Sequence, residues 1–174
     1  MPFFLFMKKI TLYIFLLSSY ACFSQIDSSS HYFNLGLFKL YSKEYKLAEK
    51  NFEKSVFHNP KNKEAYNNLG ICKLKTNRHK QAIKDFDLAL QIDSKFVQAR
   101  YNKAFCLYTE REFEEAIIDL DRVIDETVDF AEAYFYRGMA KISINLFETS
   151  CEDITKASDL GYYEAEMAAE IFCN

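Results

Sequence analysis

Glu64-Ala-Tyr-Asn-Asn-Leu-Gly70, a short polar break, and then Ala82-Ile-Lys-Asp-Phe-Asp-Leu-Ala-Leu90 form the stretch whose reading decides the fold. Its spacing returns every 34 residues: Gly36, Gly70, Ala104 and Gly138; Ala48, Ala82, Ala116 and Ser150; Phe52, Phe86, Leu120 and Ile154; Tyr32, Tyr66, Arg100 and Tyr134. A fixed period of this length belongs to a repeat architecture, in which each unit buries its apolar face only against its neighbours.

Within one period the apolar residues recur at helical spacing in two runs. In the first copy these are Tyr32 to Leu40 and Leu47 to Val56, parted by Ser42-Lys-Glu44 and stopped by Asn59-Pro60. The corresponding breaks are Thr76-Asn-Arg78, Glu110-Arg-Glu112 and Asn145. Each copy is therefore expected to be a pair of antiparallel helices. Small residues such as Gly36 and Ala48 stand where the helices approach, and large ones such as Tyr32 and Phe52 fill the adjoining gaps. The expected fold class is all-α, an α-solenoid with copies over 29–62, 63–96, 97–130 and 131–162. A capping helix follows over 163–174, with Ala165, Ala168, Ala169 and Phe172 turned onto the last copy. Leu160-Gly161 reads as a helix end with glycine in the left-handed conformation.

These residues resemble the tetratricopeptide repeat. That family's frame wants an aromatic, Leu-Gly, Ala, an aromatic, a small residue and Pro, and the first copy supplies Tyr32, Leu35, Gly36, Ala48, Phe52, Ser55 and Pro60. The second supplies Tyr66, Leu69, Gly70, Ala82, Phe86 and Ala89, with Ser94 in the place of Pro. The later copies depart at Arg100, Lys103, Val128 and Arg137. Long basic stems can cover apolar surface while their charge stays in water, so Lys103 and Arg137 are expected to leave the helix pairs intact.

The resemblance implies an inner groove, lined by the first helix of each copy, that takes a protein or peptide partner. Carried over by repeat position, the lining is Phe33, Leu37, Leu40 and Tyr41; Asn67, Ile71, Leu74 and Lys75; Tyr101, Phe105 and Tyr108; and Phe135, Met139 and Ile142. Such a lining is unusually apolar, and aromatic anchors dominate binding at sites of this kind. One subfamily grips chaperone C-terminal carboxylates with Lys and Asn. Its places are filled here by Phe33, Leu37 and Gln98, so that activity is not implied. Two functions follow: a non-catalytic interaction scaffold that uses the groove, or a structural assembly subunit that uses the edges of the stack.

The 174-residue chain has 49% apolar residues, four Gly, two Pro and a formal charge of −3, a composition that excludes a disordered or loop-rich chain. It shows no basic run and no Gly-rich phosphate loop, which speaks against nucleic acid. No constellation for catalysis, for a cofactor or for a small-molecule substrate is legible. His31, His58 and His79 stand apart from any Cys or carboxylate at ligand spacing. His79 takes the place of Tyr45, Phe113 and Phe147, which favours a packing role. Asp85/Asp87 and Asp119/Asp121 are i,i+2 pairs that point apart, and their recurrence with the repeat reads as a solvated face.

Residues 1–24 have the layout of a signal peptide: Lys8-Lys9, the apolar run Ile10 to Leu17, and small residues before a cleavage after Ser24. Met7 makes a more ordinary start for it than Met1. Removal leaves a charge of −5 and an exported protein, periplasmic or secreted. Membrane attachment would arise only if this segment were retained or Cys22 were lipidated. Residues 25–28 form a linker, and Ser28-Ser-Ser30 reads as linker plus N-cap.

Export permits disulfides. Cys151 and Cys173 lie equally far from Tyr162, so an antiparallel hairpin brings them level; they are either bridged or packed as thiols, and the bridge is the favoured reading. Cys72 and Cys106 occupy equivalent places in stacked copies, too far apart to bond, and read as small buried hydrophobes.

Overall fold

The computed structural model describes residues 28–173. The leader over 1–24 lies outside the described residues. The chain is all-helical there: α1 over 28–41, α2 (Tyr45–His58), α3 (Lys63–Leu74), α4 (His79–Ile92), α5 (Val97–Thr109), α6 (Phe113–Glu126), α7 (Ala131–Ser143), α8 (Phe147–Asp159) and α9 (Tyr163–Phe172). Ser28 to Ser30 are helical, where a linker with an N-cap was expected. Ser29 is buried and donates to the Ser55 carbonyl at 2.9 Å, while Ser55 donates back to the Ser29 carbonyl at 3.0 Å. The hydroxyls clasp α1 to α2, and that contact is invisible in the local sequence.

The helix pairs close because of what stands at the glycine position. A Cβ on Gly70 would lie 2.4 Å from Phe86 Cε1, and one on Gly36 would lie 2.7 Å from Phe52 Cε1. Both rings are fully buried, and each contributes about 1.5–3 kcal/mol through removal from water. In the third copy the glycine becomes Ala104, and its partner in the same cluster shrinks to Leu120. The fourth copy keeps the glycine, Gly138, against Ile154, where a Cβ would lie 2.8 Å from the Ile154 side chain, so the two positions share one space there too.

The turns repeat as strictly as the core. Lys43, Asn77, Arg111 and Asn145 all have positive φ, between 57° and 67°. Each is followed by a residue whose N–H reaches back five places, as in Glu44 to the Lys39 carbonyl and Glu112 to the Leu107 carbonyl, both 2.9 Å. This geometry ends the first helix of each pair and reverses the chain. Gly161, at φ 86°, plays the same part between α8 and α9.

Every helix packs on its neighbours in sequence, and α3–α5 and α5–α7 also touch. The second helices show no comparable α4–α6 or α6–α8 approach. The row α1, α3, α5, α7 is therefore the tighter, inner side of the stack, and the solenoid curves around it.

Two electrostatic expectations need correction. Asp85, Asp119 and Asp153, one in each of the second to fourth copies, are buried and do not form a solvated face. Lys103 and Arg137 do not carry their charge into water either. Lys103 meets Asp119 at 3.3 Å and Asp87 of the preceding copy at 2.9 Å. Arg137 meets Asp153, and Asp121 of the preceding copy at 2.7 Å. Arg100 and Lys141 add contacts of 3.0 Å to Asp119 and 2.7 Å to Asp153, and Lys73 approaches Asp85 at 2.6 Å. Three of the residues that break the repeat frame, Arg100, Lys103 and Arg137, are thus cations serving buried carboxylates, and removing one partner of such a pair costs about 3–5 kcal/mol.

At the C-terminal end α9 stands where a fifth first helix would begin. Ala165 takes the buried place of Ala65, Ala99 and Ala133, and the connection before it is two residues shorter. Ala168 is also buried, but Phe172 is half exposed and not turned onto the last copy. Cys151 and Cys173 are joined by a disulfide with Cα atoms 5.5 Å apart, which ties the end of α9 to α8. Cys72 and Cys106 are free and fully buried, and burial pushes both thiols up to about 12.

Candidate partner-binding face

The inner row sorts the expected lining residues into three groups. At the N-terminal end, Leu37 and Tyr41 on α1 stand free, 38% and 94% exposed. Phe33 is half-buried with its ring 5.7 Å from Phe52, and Leu40 packs against the same cluster. In the middle, Asn67 is buried and accepts a hydrogen bond from the Asn102 amide at 3.0 Å, tying α3 to α5. Ile71 and Leu74 pack into the core beside it, and Lys75 is exposed.

At the C-terminal end the rings gather. Tyr101, Phe105 and Tyr108 on α5 and Phe135 on α7 are each half-buried, and all four meet Tyr136. Ring centroids lie 6.3 Å from Tyr136 to Tyr101, 5.0 Å to Phe105, 5.4 Å to Tyr108 and 5.3 Å to Phe135, the last three edge-on. Edge-on contact sets the positive rim of one ring on the negative face of the next. Tyr162, in the turn before α9, extends the group at 5.0 Å from Phe135, and its phenol acts electrostatically on that of Tyr136. Met139 and Ile142 pack beneath, against the Ile154 cluster.

Tyr136 is the residue that sequence reasoning missed, although every ring of the group touches it or its neighbour. Its equivalents are Asn34, Asn68 and Asn102, so reading by repeat position passes over it. The signal that could have found it is the aromatic run Tyr134-Phe-Tyr136 itself.

The electrostatics of this end are acidic. Burial raises the phenols of Tyr101 and Tyr136 above their usual range, and the carboxylates of Glu132 and Glu164 add to it. Neither Glu132 nor Glu164 is ion-paired among the described residues. No group of His, Cys, Asp and Glu there could hold a metal ion. His79 sits 3.1 Å from Glu110 of the next copy, a contact between neighbouring turns.

Residues 64–96 match the family model of the tetratricopeptide repeat. That second copy is a tetratricopeptide repeat. Solved structures agree on the fold. MamA from Desulfovibrio magneticus RS-1, residues 41 to the end, superposes with a TM-score of 0.75 at 23% identity, covering 78% of this chain and 76% of that one. YrrB, described as a tetratricopeptide repeat protein with an unusual peptide-binding site, gives 0.73 at 22% identity over 82% of this chain and 74% of its own. The first such domain of Spaghetti (RPAP3), bound to the HSP90 peptide SRMEEVD, gives 0.68 at 17% identity over 69% of this chain and 95% of its own. No curated protein matches the chain. Among the described residues no helix is long and apolar enough to cross a membrane.

Proposed function

We propose that this tetratricopeptide repeat chain is a non-catalytic scaffold of the cell envelope that holds a protein or peptide along its inner row of helices. The observation that carries the reading is the side-chain content of that row. It offers free apolar groups at one end, Leu37 and Tyr41, and a half-buried aromatic group around Tyr136 at the other. Peptide binding by YrrB and RPAP3, which share the fold, supports the same use. Export is supported by the Lys8-Lys9 leader and by a disulfide, which persists in oxidising compartments. N-terminal sequencing of the protein recovered from its own cells should begin after Ser24.

A capture experiment tests the scaffold. Leu37→Asp with Tyr41→Asp changes exposed side chains, and Phe105→Ala opens the aromatic end. Partner capture should fall about tenfold or more for both, as truncation of central anchors does, with the helical circular dichroism unchanged for the exposed pair. Capture that survives both changes would sink the reading.

One observation favours the edge-using assembly subunit as a second reading. Phe38 is 63% exposed at a position where Cys72, Cys106 and Ala140 are fully buried. The outer side of α1 therefore presents apolar surface that the other copies cover.

A further inference from the structure

The charges of the chain are divided along the stack. Residues 28–96 carry 13 Lys and Arg against 7 Asp and Glu, whereas residues 97–174 carry 7 against 17. In the acidic half, Arg100, Lys103, Arg137 and Lys141 are all held by Asp119 and Asp153. None of these cations is left to neutralise the inner face. Glu132 lies one helical turn before Tyr136 on α7, at i and i+4, so both project from the same side. Glu164 follows Tyr162 by two residues in the first turn of α9. The two carboxylates therefore flank the ring group from α7 and α9, and each acts electrostatically on the Tyr162 phenol.

Resting on the function proposed above, we propose that the C-terminal end of the inner face receives a lysine or arginine side chain from an extended partner segment, between the rings of Tyr101, Tyr136 and Tyr162 and the carboxylates of Glu132 and Glu164. The chemistry fits a cation with an aliphatic stem. Ring faces attract a cation electrostatically, most strongly where water is partly excluded, and the stem lies along apolar surface while the charge reaches the acidic rim. The chain already uses this contact internally: the Arg137 guanidinium lies 5.4 Å from the Tyr134 ring centre and Lys54 Nζ 4.9 Å from that of Tyr32. An acidic segment would meet two unpaired carboxylates, and a neutral one would leave them without a partner. The same surface therefore selects for sign as well as for apolar content.

The test uses the full chain and three fluorescein-labelled pools of twelve-residue peptides on one Leu/Phe/Gly/Ser background. The pools differ only in two central positions, filled with Lys/Arg, with Glu or with Gln, and binding is read by fluorescence polarisation. The Lys/Arg pool should bind tightest, and Glu132→Gln with Glu164→Gln should weaken it about fivefold or more, the scale of a partly desolvated cation–ring and carboxylate contact. Glu114→Gln with Glu115→Gln removes the same charge from the first turn of α6 and should change little. Equal loss in both double variants would reduce the effect to overall charge and overturn the proposal. Preference for the Gln or Glu pool overturns it while leaving the inner-face scaffold standing, whereas no binding of any pool overturns both. Binding that emerges only when residues 1–27 are removed would make the chain's own leader the occupant. Self-association abolished by the Glu132/Glu164 variant would make it a second copy, and either result overturns a separate partner.

Discussion

Gly70 and Phe86 show how much one position decides. The Cβ of Gly70→Ala would fall 2.4 Å from a fully buried ring, so the ring or the helix must shift, at about 1–3 kcal/mol by the usual cost of overpacking. The third copy already holds the compensated version, Ala104 with Leu120. Gly70→Ala combined with Phe86→Leu should therefore be less destabilised than the sum of the single changes, by about 1 kcal/mol or more for residues in direct contact. Urea unfolding of the four proteins in the cycle measures this, and strict additivity would show that the two positions do not share a space. This part of the fold was legible beforehand because a glycine and an aromatic 16 residues apart recur together. The buried aspartates were not legible. In sequence Asp85 and Asp119 look like members of acidic pairs on a wet face and Asp153 carries no signal, and only the approach of Lys73, Arg100 and Arg137 from the first helices shows that all three are interior. Tyr136 was hidden for a related reason, since its role depends on rings from α5 that meet it across the stack.

At the scale of elements, α9 is a first helix without a second. Internal first helices are held on both sides, whereas α9 packs against α8 through Ala165 and Ala168 and is pinned by Cys151–Cys173. Glu170 stands at the position that is Gly36, Gly70 and Gly138 in complete copies. The bridge spans 22 residues, for which the chain-entropy account gives about 3 kcal/mol. Reduction, or Cys173→Ser, should raise amide exchange in α9 and in the Tyr162 turn first, with α3 to α6 nearly unchanged, because stacked repeats interact only with their neighbours. The aromatic group loses the support of Tyr162 in that state, so capture of a partner should weaken together with α9 protection. Uniform loss of protection along the chain would mean that the cap is coupled to the whole stack.

Over the whole molecule the two ends differ in charge and in shape, and both differences bear on how two copies meet. A basic N-terminal half and an acidic C-terminal half favour head-to-tail encounter of two copies, a heterologous contact that need not close. Continuing the solenoid through such a contact is a different matter. Where internal copies place Ala65, Ala99 and Ala133 to admit the preceding helix, α1 has His31, and where they place Cys72, Cys106 and Ala140 it has Phe38. The opposite end offers α9, a first helix with Ile171 71% exposed and three glutamates, and not the second helix that stacking would require. Charge can bring the ends together, but packing cannot lock them in repeat geometry. Sedimentation should therefore show association that is confined to low salt and vanishes near 0.15 M, where screening reduces the reach of exposed charges to about 8 Å. Phe38→Asp should leave the physiological-salt monomer and its partner capture unchanged. An oligomer that persists at that salt and is broken by Phe38→Asp would instead assign the apolar outer side of α1 as the working surface, and the inner row of rings would then be packing alone.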